Sequence, residues 1–292
     1  MHDGTIVKLV RGIYYVYLDG EIIPCKARGL FREQDVAPVV GDKVQVRIAE
    51  EDGSGYIEKV YPRSSYLIRP YVANIDLALM VFSIKSPDLN LYLLDKNLVM
   101  SEYLEVQSMI LLTKTDLSEA VRTQELKDIY ESIGYRVLVS DGQDTQVIRE
   151  LQEILSGKIT AVAGPSGVGK STLINRLIPG ANLETSAVSQ KTTRGRHTTR
   201  HTELIPIDQD SYILDTPGFS ALDLDFLAED VDLPQSFPEF TRIAEHCRFR
   251  GCMHLNEPDC AVKGAVTKGS LPRSRYENYL IFYEEMRKSR RY

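Results

Sequence analysis

The first 65 residues of the chain alternate between short apolar runs and turn residues. GTIVKLV, GIYYVYL, KVQVRI and GYIEKVY are rich in Val, Ile and Tyr, and Gly-Asp, Asp-Gly and Gly-Ser-Gly punctuate them. β-Branched and aromatic residues in short runs are typical of strands, and glycine beside aspartate or serine is typical of turns. Short, closely spaced strands predict a small β-barrel, and no helical pattern of useful length precedes residue 90.

The pattern changes after residue 74, where apolar strands begin to alternate with helical spacing. IDLALMVF (75–82) is an apolar run of the kind expected for a strand covered on both faces. Further strands are predicted at QSMILLT (107–113), YRVLVS (135–140), KITAVAG and SYILDTPG, and helices at 90–104, 119–133, about 145–156 and from Lys170. This alternation predicts a parallel sheet with right-handed crossovers. From about residue 223 the pattern is irregular, and a helix is predicted from Arg273 onward.

One segment fits the phosphate-binding pattern G-x-x-x-x-G-K-[ST] in full. GPSGVGKS begins at Gly164, between the predicted strand ITAVA and the predicted helix STLINRLI. Its glycines let the backbone curl so that N–H groups face the phosphates. Lys170 would reach the β- and γ-phosphates, and Ser171 would ligate Mg²⁺. A glycine-rich turn without function is the alternative, and the strand–helix context argues against it.

The stretch TKTD, which ends the predicted strand at 107–113, indicates guanine recognition. There the Asp116 carboxylate can accept hydrogen bonds from guanine N1–H and the 2-amino group, whereas adenine offers no such pair of donors. Lys114 would lay its alkyl stem along the base. A short loop at Ser140 could present a backbone N–H to guanine O6. The alternative is an ATPase or kinase in which TKTD is accidental.

A third motif, Asp215-Thr-Pro-Gly218, ends the predicted strand YILD. Asp215 can hold Mg²⁺ through water, and the Gly218 N–H can meet the γ-phosphate. The stretch 187–202 before it is basic and free of acids. It contains Thr198 and Thr199, either of which could complete the Mg²⁺ shell, and Thr198 is the favoured candidate. Three motifs at strand ends predict a GTPase site.

The guanine motif precedes the phosphate loop, which reverses the order found in ordinary GTPases. Hydrogen bonds between strands hold a parallel sheet together, whatever the order of those strands along the chain. Joining the old termini and cutting in surface loops therefore preserves the site. In this arrangement the sheet ends just after DTPG, the switch region, and the segment that follows is attached directly to it.

Three of the four cysteines fall in one short window with a histidine. Cys247, Cys252, His254 and Cys260 form the pattern C-x4-C-x-H-x5-C. Three thiolates and an imidazole are a tetrahedral zinc set, and filling all four positions with protein ligands indicates a structural site. A disulfide would leave an odd cysteine. Cys25 stands alone in the β part and is predicted to be a small buried residue.

Composition sets broad limits. A chain of 292 residues predicts two or three domains. The formal net charge of -6 gives no general argument for nucleic-acid binding, although the stretch 187–202 and the tail RKSRRY are locally basic. The sequence contains no run of about 18 apolar residues, so no membrane span is predicted. The start MHDGTIVKLV lacks the features of a secretory signal, so we expect a cytoplasmic protein.

Together, TKTD, GPSGVGKS, GRHTT, DTPG and the cysteine spacing resemble the RsgA family, the circularly permuted bacterial GTPases of small-subunit maturation. The resemblance implies an N-terminal OB-fold β-barrel that binds RNA (1–66), a circularly permuted Ras-like α/β P-loop GTPase (67–222) and a zinc-binding domain with a helix (223–292). It also implies GTP hydrolysis stimulated by the 30S subunit and binding to 16S rRNA late in assembly. The expected cofactors are GTP/GDP, Mg²⁺ and one structural Zn²⁺, and the expected state is a monomer with no membrane or DNA partner.

The resemblance also assigns roles by position. Thr113, Lys114 and Asp116 would bind guanine, and Cys247, Cys252, His254 and Cys260 would bind zinc. The implied phosphate-binding residues are Gly164, Pro165, Ser166, Gly167, Val168, Gly169, Lys170, Ser171 and Thr172. Phe219 stands where many Ras-like GTPases have a glutamine that orients water, so His197 is our candidate for that role. A histidine that only contacts RNA or solvent is the equal alternative.

Two function classes stay open at this point. In the first, the protein is an enzyme whose slow GTP hydrolysis, with Lys170, Thr198 and His197 in catalytic roles, is switched on by the small subunit. In the second, it is a binding module whose nucleotide state governs RNA docking, and hydrolysis is incidental.

Overall fold

A computed structural model describes residues 1–27, 37–49, 53–68, 71–178, 202–215 and 232–289. Within these ranges the amino-terminal part forms a closed barrel. Its strands are β1 (His2–Val10), β2 (Ile13–Leu18), β3 (Glu21–Ala27), β4 (Lys43–Ile48) and β5 (Gly55–Val60), in the order β1-β2-β3-β5-β4. The pairings are antiparallel except between β3 and β5. The barrel predicted from the short apolar runs is therefore confirmed.

Inward-facing apolar side chains fill the barrel. Ile6, Val16, Val44, Val46 and Ile57 are fully buried there. Cys25 is buried among them, as predicted, and burial raises the pKa of its thiol to about 11. A Cβ at position 55 would lie 2.2 Å from Cys25 Sγ, so the close approach of β3 and β5 requires glycine at that position.

A six-stranded sheet forms the centre of the part that follows. A hairpin of β6 (Tyr66–Ile68) and β7 (Tyr71–Ala73) leads into it. The sheet strands are β8 (Leu77–Ser83), β9 (Gln107–Thr113), β10 (Arg136–Val139), β11 (Ile159–Ala163), β12 (Leu204–Pro206) and β13 (Tyr212–Asp215). Their order is β10-β9-β8-β11-β13-β12, and all neighbours are parallel except the edge pair β12–β13.

Helices pack around this sheet and within the carboxyl-terminal segment. They are α1 (Leu91–Tyr103), α2 (Ala120–Ser132), α3 (Thr145–Leu155), α4 (Lys170–Leu177), α5 (Pro238–Ala244), α6 (Ala261–Thr267) and α7 (Arg273–Ser289). Short 3₁₀ turns occupy Thr115–Leu117 and Leu233–Ser236. Side chains cap two helix starts: Asn90 Oδ1 accepts from Leu93 N at 3.0 Å, and Asp144 Oδ1 accepts from Gln146 N at 2.8 Å.

The two faces of the sheet bury different partners. On one face Leu79 and Val81 of β8 pack in a core with Leu151 of α3 and Ile174 of α4. On the other face the core continues through α1 and α2 into the carboxyl-terminal part, where Phe237, Phe240 and Phe282 are fully buried. The carboxyl-terminal segment therefore shares one continuous core with the sheet. Across the described ranges, no helix combines the length and apolarity needed to cross a bilayer.

Four details differ from the sequence expectations. β3, with the sequence EIIPCKA, was not predicted because Pro24 and the flanking charges break its strand pattern. The hairpin β6–β7 is too short for a periodic signal. β12, of only three residues, was not predicted, and it adds an antiparallel edge to a sheet that was predicted to be parallel. The region after residue 223 contains α5 and α6, each of only 7 residues and therefore too short for periodicity to detect.

A buried ionic cluster joins the carboxyl-terminal segment to α1. Arg275 is completely buried; its NH1 lies 2.9 Å from Asp95 Oδ1, and its Nε donates to Glu239 Oε1 at 2.7 Å. Asp95 also accepts from Tyr130 OH at 2.9 Å and from Asn278 Nδ2 at 2.5 Å. Burial raises the pKa of Tyr130 well above its usual value, which keeps this hydroxyl available as a donor. One arginine thus neutralises two carboxylates that solvent does not reach.

We predict that Arg275→Met strongly destabilises the protein. The change would leave the carboxylates of Asp95 and Glu239 buried without a cation, and breaking one buried ion pair costs about 3–5 kcal/mol. Urea unfolding should show a clearly lower midpoint for this variant. Arg273→Met is the matched control, because that side chain is 83% exposed and forms an exposed ion pair with Glu277. Equal midpoints for the two variants would contradict the prediction.

Candidate nucleotide and metal sites

The phosphate loop leaves the middle of the sheet, where β11 lies between β8 and β13. Gly164 follows β11 directly with φ of +143°, and a Cβ there would lie 1.9 Å from Val81 O. Only glycine fits this turn, because any side chain would collide with the backbone of β8. Lys170 begins α4, and its Nζ donates to Gly164 O and Pro165 O at 2.7 Å each. The ammonium group therefore lies over the loop.

The TKTD motif contacts this loop directly. Thr113 Oγ1 donates to Val168 O at 2.7 Å, and Lys114 Nζ donates to Gly167 O at 2.7 Å. Lys114 Nζ also donates to Ser86 O, in the loop between β8 and α1. Lys114 adopts a left-handed backbone conformation with φ of 55°, at the turn from β9 into the 3₁₀ helix that contains Asp116. Segments far apart in the chain are thus hydrogen-bonded to each other.

A cavity of about 140 Å³ lies between the two motifs. Thr113, Lys114 and Ser140 line one side, and Val168, Gly169 and Thr172 line the other, with Gly142 and Arg176 also at its wall. Asp116 stands exposed just beyond Lys114. Arg176, which no sequence motif singled out, donates from NH1 to Gly142 O and from NH2 to Gln143 O at 3.0 Å. The cavity is therefore bounded by the phosphate loop, the TKTD turn and the loop after β10.

The loop after β10 uses most of its backbone N–H groups in local hydrogen bonds. The Ser140 N–H donates to Leu112 O at 2.8 Å, because Ser140 still continues the pairing of β10 with β9. The Ser140 carbonyl accepts from Thr115 N at 3.3 Å, and its hydroxyl accepts from Gly142 N at 3.0 Å. The N–H groups of Gln143 and Asp144 donate to Asp141 Oδ1. In residues 140–144 the N–H of Asp141 is left without a partner among the described residues.

The remaining predicted residues are only partly described. Ser171 and Thr172 lie in the first turn of α4, and Pro165 and Ser166 lie in the phosphate loop. The backbone of Asp215 ends β13 directly beside Val162 of β11. The side chain of Asp215 lies outside the described residues, as do His197, Thr198, Thr199, Gly218 and Phe219.

The four predicted zinc ligands meet in one cluster. Their ligand atoms all lie within 4.8 Å of one another; Cys247 Sγ is 3.7 Å from His254 Nδ1 and 4.0 Å from Cys260 Sγ, and His254 Nδ1 is 3.4 Å from Cys260 Sγ. A tetrahedron with Zn–S bonds of about 2.3 Å has S···S edges of about 3.8 Å. Burial raises the pKa of the Cys252 thiol to about 12, so a bound cation is needed to make the thiolate stable there. The donor set and spacing fit a closed zinc site.

Surrounding groups hold the cluster in place. Burial lowers the pKa of His254, which favours the neutral imidazole that ligates metals. The His254 carbonyl accepts from Tyr276 OH at 2.7 Å, and Tyr279 OH donates to Met253 O, so α7 supports the turn between the ligands. The Ala261 N–H donates to Cys247 Sγ at 3.3 Å. These contacts fix the ligand loop against the core that also contains Phe240.

Known proteins resemble this chain over its full length. The family model described as RsgA GTPase matches residues 60–225, and that described as RsgA N-terminal domain matches residues 3–57. The small ribosomal subunit biogenesis GTPase RsgA of Alkaliphilus metalliredigens (strain QYMF) is 44% identical over 293 residues, covering 100% of both chains. The crystal structure of YloQ, a circularly permuted GTPase, has a TM-score of 0.81 at 37% identity, covering 99% of this chain and 96% of that one. YjeQ from Thermotoga maritima has a TM-score of 0.79 at 36% identity, covering 97% and 98%.

We predict that the purified protein contains one zinc ion per chain and that Cys260→Ser lowers this content. The serine hydroxyl is a poor substitute for a thiolate ligand, so the tetrahedron cannot close. Elemental analysis of protein washed with a mild chelator measures the ratio. Cys25→Ala is the control, because this cysteine lies in the barrel and away from the cluster. Full zinc retention by Cys260→Ser would show that the residue is not a ligand.

Proposed function

The chain belongs to the RsgA family of circularly permuted GTPases, and from this premise we propose that it acts on the small ribosomal subunit. In this proposal the protein binds the 30S subunit and 16S rRNA, hydrolyses GTP to GDP and phosphate in response, and assists late maturation. The support is the name of its relatives, small ribosomal subunit biogenesis GTPase, at 44% identity over the whole chain. Cytoplasmic location and a monomeric state are part of the proposal.

The pair of hydrogen bonds between TKTD and the phosphate loop carries the assignment of the nucleotide. Thr113 Oγ1 and Lys114 Nζ bind consecutive carbonyls, those of Val168 and Gly167. Because these bonds place the end of β9 against a phosphate-binding loop, a nucleotide held by its phosphates has its base beside Asp116. An accidental TKTD sequence would have no reason to lie there.

In the proposed complex, the Asp116 carboxylate accepts from guanine N1–H and the 2-amino group. Lys114 lays its alkyl stem along the base, and Thr113 holds the TKTD turn against the phosphate loop. The donor to guanine O6 is the backbone N–H of Asp141, because the N–H of Ser140 already belongs to the sheet. The Asp116 carboxylate accepts from two donors of guanine, and the Asp141 N–H donates to its O6. Adenine cannot match these groups, and a buried polar group left without a partner costs about 1–3 kcal/mol.

The phosphates would be held by the backbone of residues 164–172 and by Lys170. The first turn of α4 supplies further N–H groups and the positive end of the helix dipole. Ser171 at this turn and Asp215 at the end of the neighbouring strand offer the hard oxygen ligands that Mg²⁺ prefers, and Thr198 is proposed to complete the set. When bound, Mg²⁺ neutralises charge that develops on the β- and γ-phosphate oxygens.

Hydrolysis needs a group that orients the attacking water. Phe219 follows the DTPG motif and has no polar atom for this task. We therefore assign the role to His197, in the basic stretch 187–202. The basic side chains of this stretch would also contact rRNA phosphates. The barrel, within residues 1–66, and the zinc domain, 223–292, are the proposed RNA-binding parts on either side of the GTPase domain, 67–222.

We predict that Asp116→Asn loses the preference for GTP. The amide cannot accept both guanine donors, so GTP affinity should fall about tenfold to a hundredfold. Its N–H can instead donate to the C2 oxygen of xanthine, so affinity for xanthosine triphosphate should rise. Equilibrium binding of the three nucleotides measures the switch, and Asp128→Asn on the exposed face of α2 is the control. Unchanged GTP preference, or ATP bound as well as GTP by the parent protein, would defeat the guanine assignment.

We predict that purified small ribosomal subunits increase the GTP turnover of this protein. The comparison is steady-state phosphate release with and without subunits, and a failure to increase would contradict the enzymatic form of the proposal.

The same assay with His197→Ala tests the water-positioning role: stimulated kcat should fall about a hundredfold if the imidazole acts in general acid–base catalysis. His246→Ala, an exposed histidine before the zinc ligands, is the control. Undiminished turnover of His197→Ala would remove that residue from the mechanism.

A further inference from the structure

We propose that Arg176 is a positioning residue for guanine recognition, because it fixes the loop that carries the Asp141 N–H. The inference rests on the proposed function and adds a residue outside the three nucleotide motifs. Arg176 lies in the last turn of α4, the helix that begins at the phosphate loop. Its guanidinium group lies at the wall of the cavity and donates to the carbonyls of Gly142 and Gln143.

The geometry of the loop explains why this contact matters. In a trans peptide the C=O and N–H groups point in opposite directions. The Ser140 carbonyl accepts from Thr115 N, so the N–H of the same peptide unit, that of Asp141, points to the other side. Arg176 holds the peptide units after Asp141 in the same way, through two successive carbonyls. The chain is therefore held at Ser140, before Asp141, and at Gly142 and Gln143, after it.

Other bonds in this loop are local and do not fix it relative to the phosphates. The Ser140 hydroxyl, Asp141 Oδ1 and Asp144 Oδ1 bind N–H groups two or three residues further along. These contacts shape the loop but would move with it as a unit. Among the described residues, Arg176 is the side chain that ties residues 142 and 143 to the helix of the phosphate loop.

A bidentate guanidinium is suited to this task. Its planar fork presents two N–H donors in fixed geometry, so two successive carbonyls are held with little freedom. The ammonium group of a lysine has no such planar fork and could hold only one of the two carbonyls at a time. We therefore expect Arg176→Lys to retain part of the effect and Arg176→Ala to retain none.

The test isolates the O6 edge of the base. GDP is compared with 6-thio-GDP, in which sulfur is a weak acceptor, and with IDP, which lacks the 2-amino group. The parent protein should bind both analogues more weakly than GDP, each by about tenfold. Arg176→Ala should bind GDP about fivefold to tenfold more weakly and should reduce the 6-thio penalty to about twofold, because the O6 contact is already lost. The IDP penalty should be unchanged, and Arg176→Lys should restore part of the 6-thio penalty.

Arg149→Ala, on the exposed side of α3, is the matched control and should behave as the parent protein. If Arg176→Ala weakens GDP, 6-thio-GDP and IDP equally, Arg176 supports the fold in general and the inference is wrong. If all three affinities equal those of the parent protein, the contact has no role in binding. If the parent protein itself does not prefer GDP to ADP, the proposed function fails, and that result is distinct from both others.

Discussion

The parallel pairing of β8 with β9 on one side and β11 on the other determines where the rest of the molecule lies. All seven residues of β8 are buried, and Ser83 pairs with Thr113 while Ala163 pairs with Met80. These registers bring the carboxyl ends of β9 and β11 to the same edge of the sheet, on either side of the central strand. A nucleotide site can form there whichever of the two strands comes first in the chain. The permuted order therefore costs nothing in geometry, because the ladder hydrogen bonds, and not the connections, define the site.

β8 also explains how the carboxyl-terminal segment is held. The chain leaves β8 through the loop that contains Ser86 and enters α1, so Asp95 is fixed relative to the sheet. The full burial of Arg275 against Asp95 and Glu239 then fixes α7 and α5 on α1. Such a cluster contributes little net stability compared with apolar packing, but an arrangement that separates these three residues would leave charges buried and unpaired. Its role in this fold is to specify how the zinc-ligand segment sits on the sheet, while Phe237, Phe240 and Phe282 supply the apolar contact.

Local patterns predicted most of the sheet and the cluster of three cysteines and His254, and long-range contacts account for the elements that these patterns missed. QSMILLT was predicted as a strand with the bounds that β9 has, because an apolar run and a motif frame it. β3 was not predicted because Pro24 and the charged neighbours interrupt the local pattern of a strand. The other strands of the barrel stabilise β3 instead. Arg275 stands in the polar stretch LPRSRYEN, which indicates a solvated helix start. Its burial depends on Asp95, far away in the chain, and no pattern of nearby residues could show that. The roles of the individual site residues, and the domain boundaries, stay predictions.

The contacts of Thr113 and Lys114 have a consequence for the phosphate loop itself. Both side chains bind carbonyl oxygens, those of Val168 and Gly167, and hold them on the side of β9. Because C=O and N–H of a trans peptide point in opposite directions, the N–H groups of Val168 and Gly169 are turned away from β9. A phosphate-binding loop needs its N–H groups oriented before the anion arrives, since orienting them during binding would cost conformational entropy. In the proposed nucleotide complex, TKTD would therefore orient the phosphate loop as well as recognise the base.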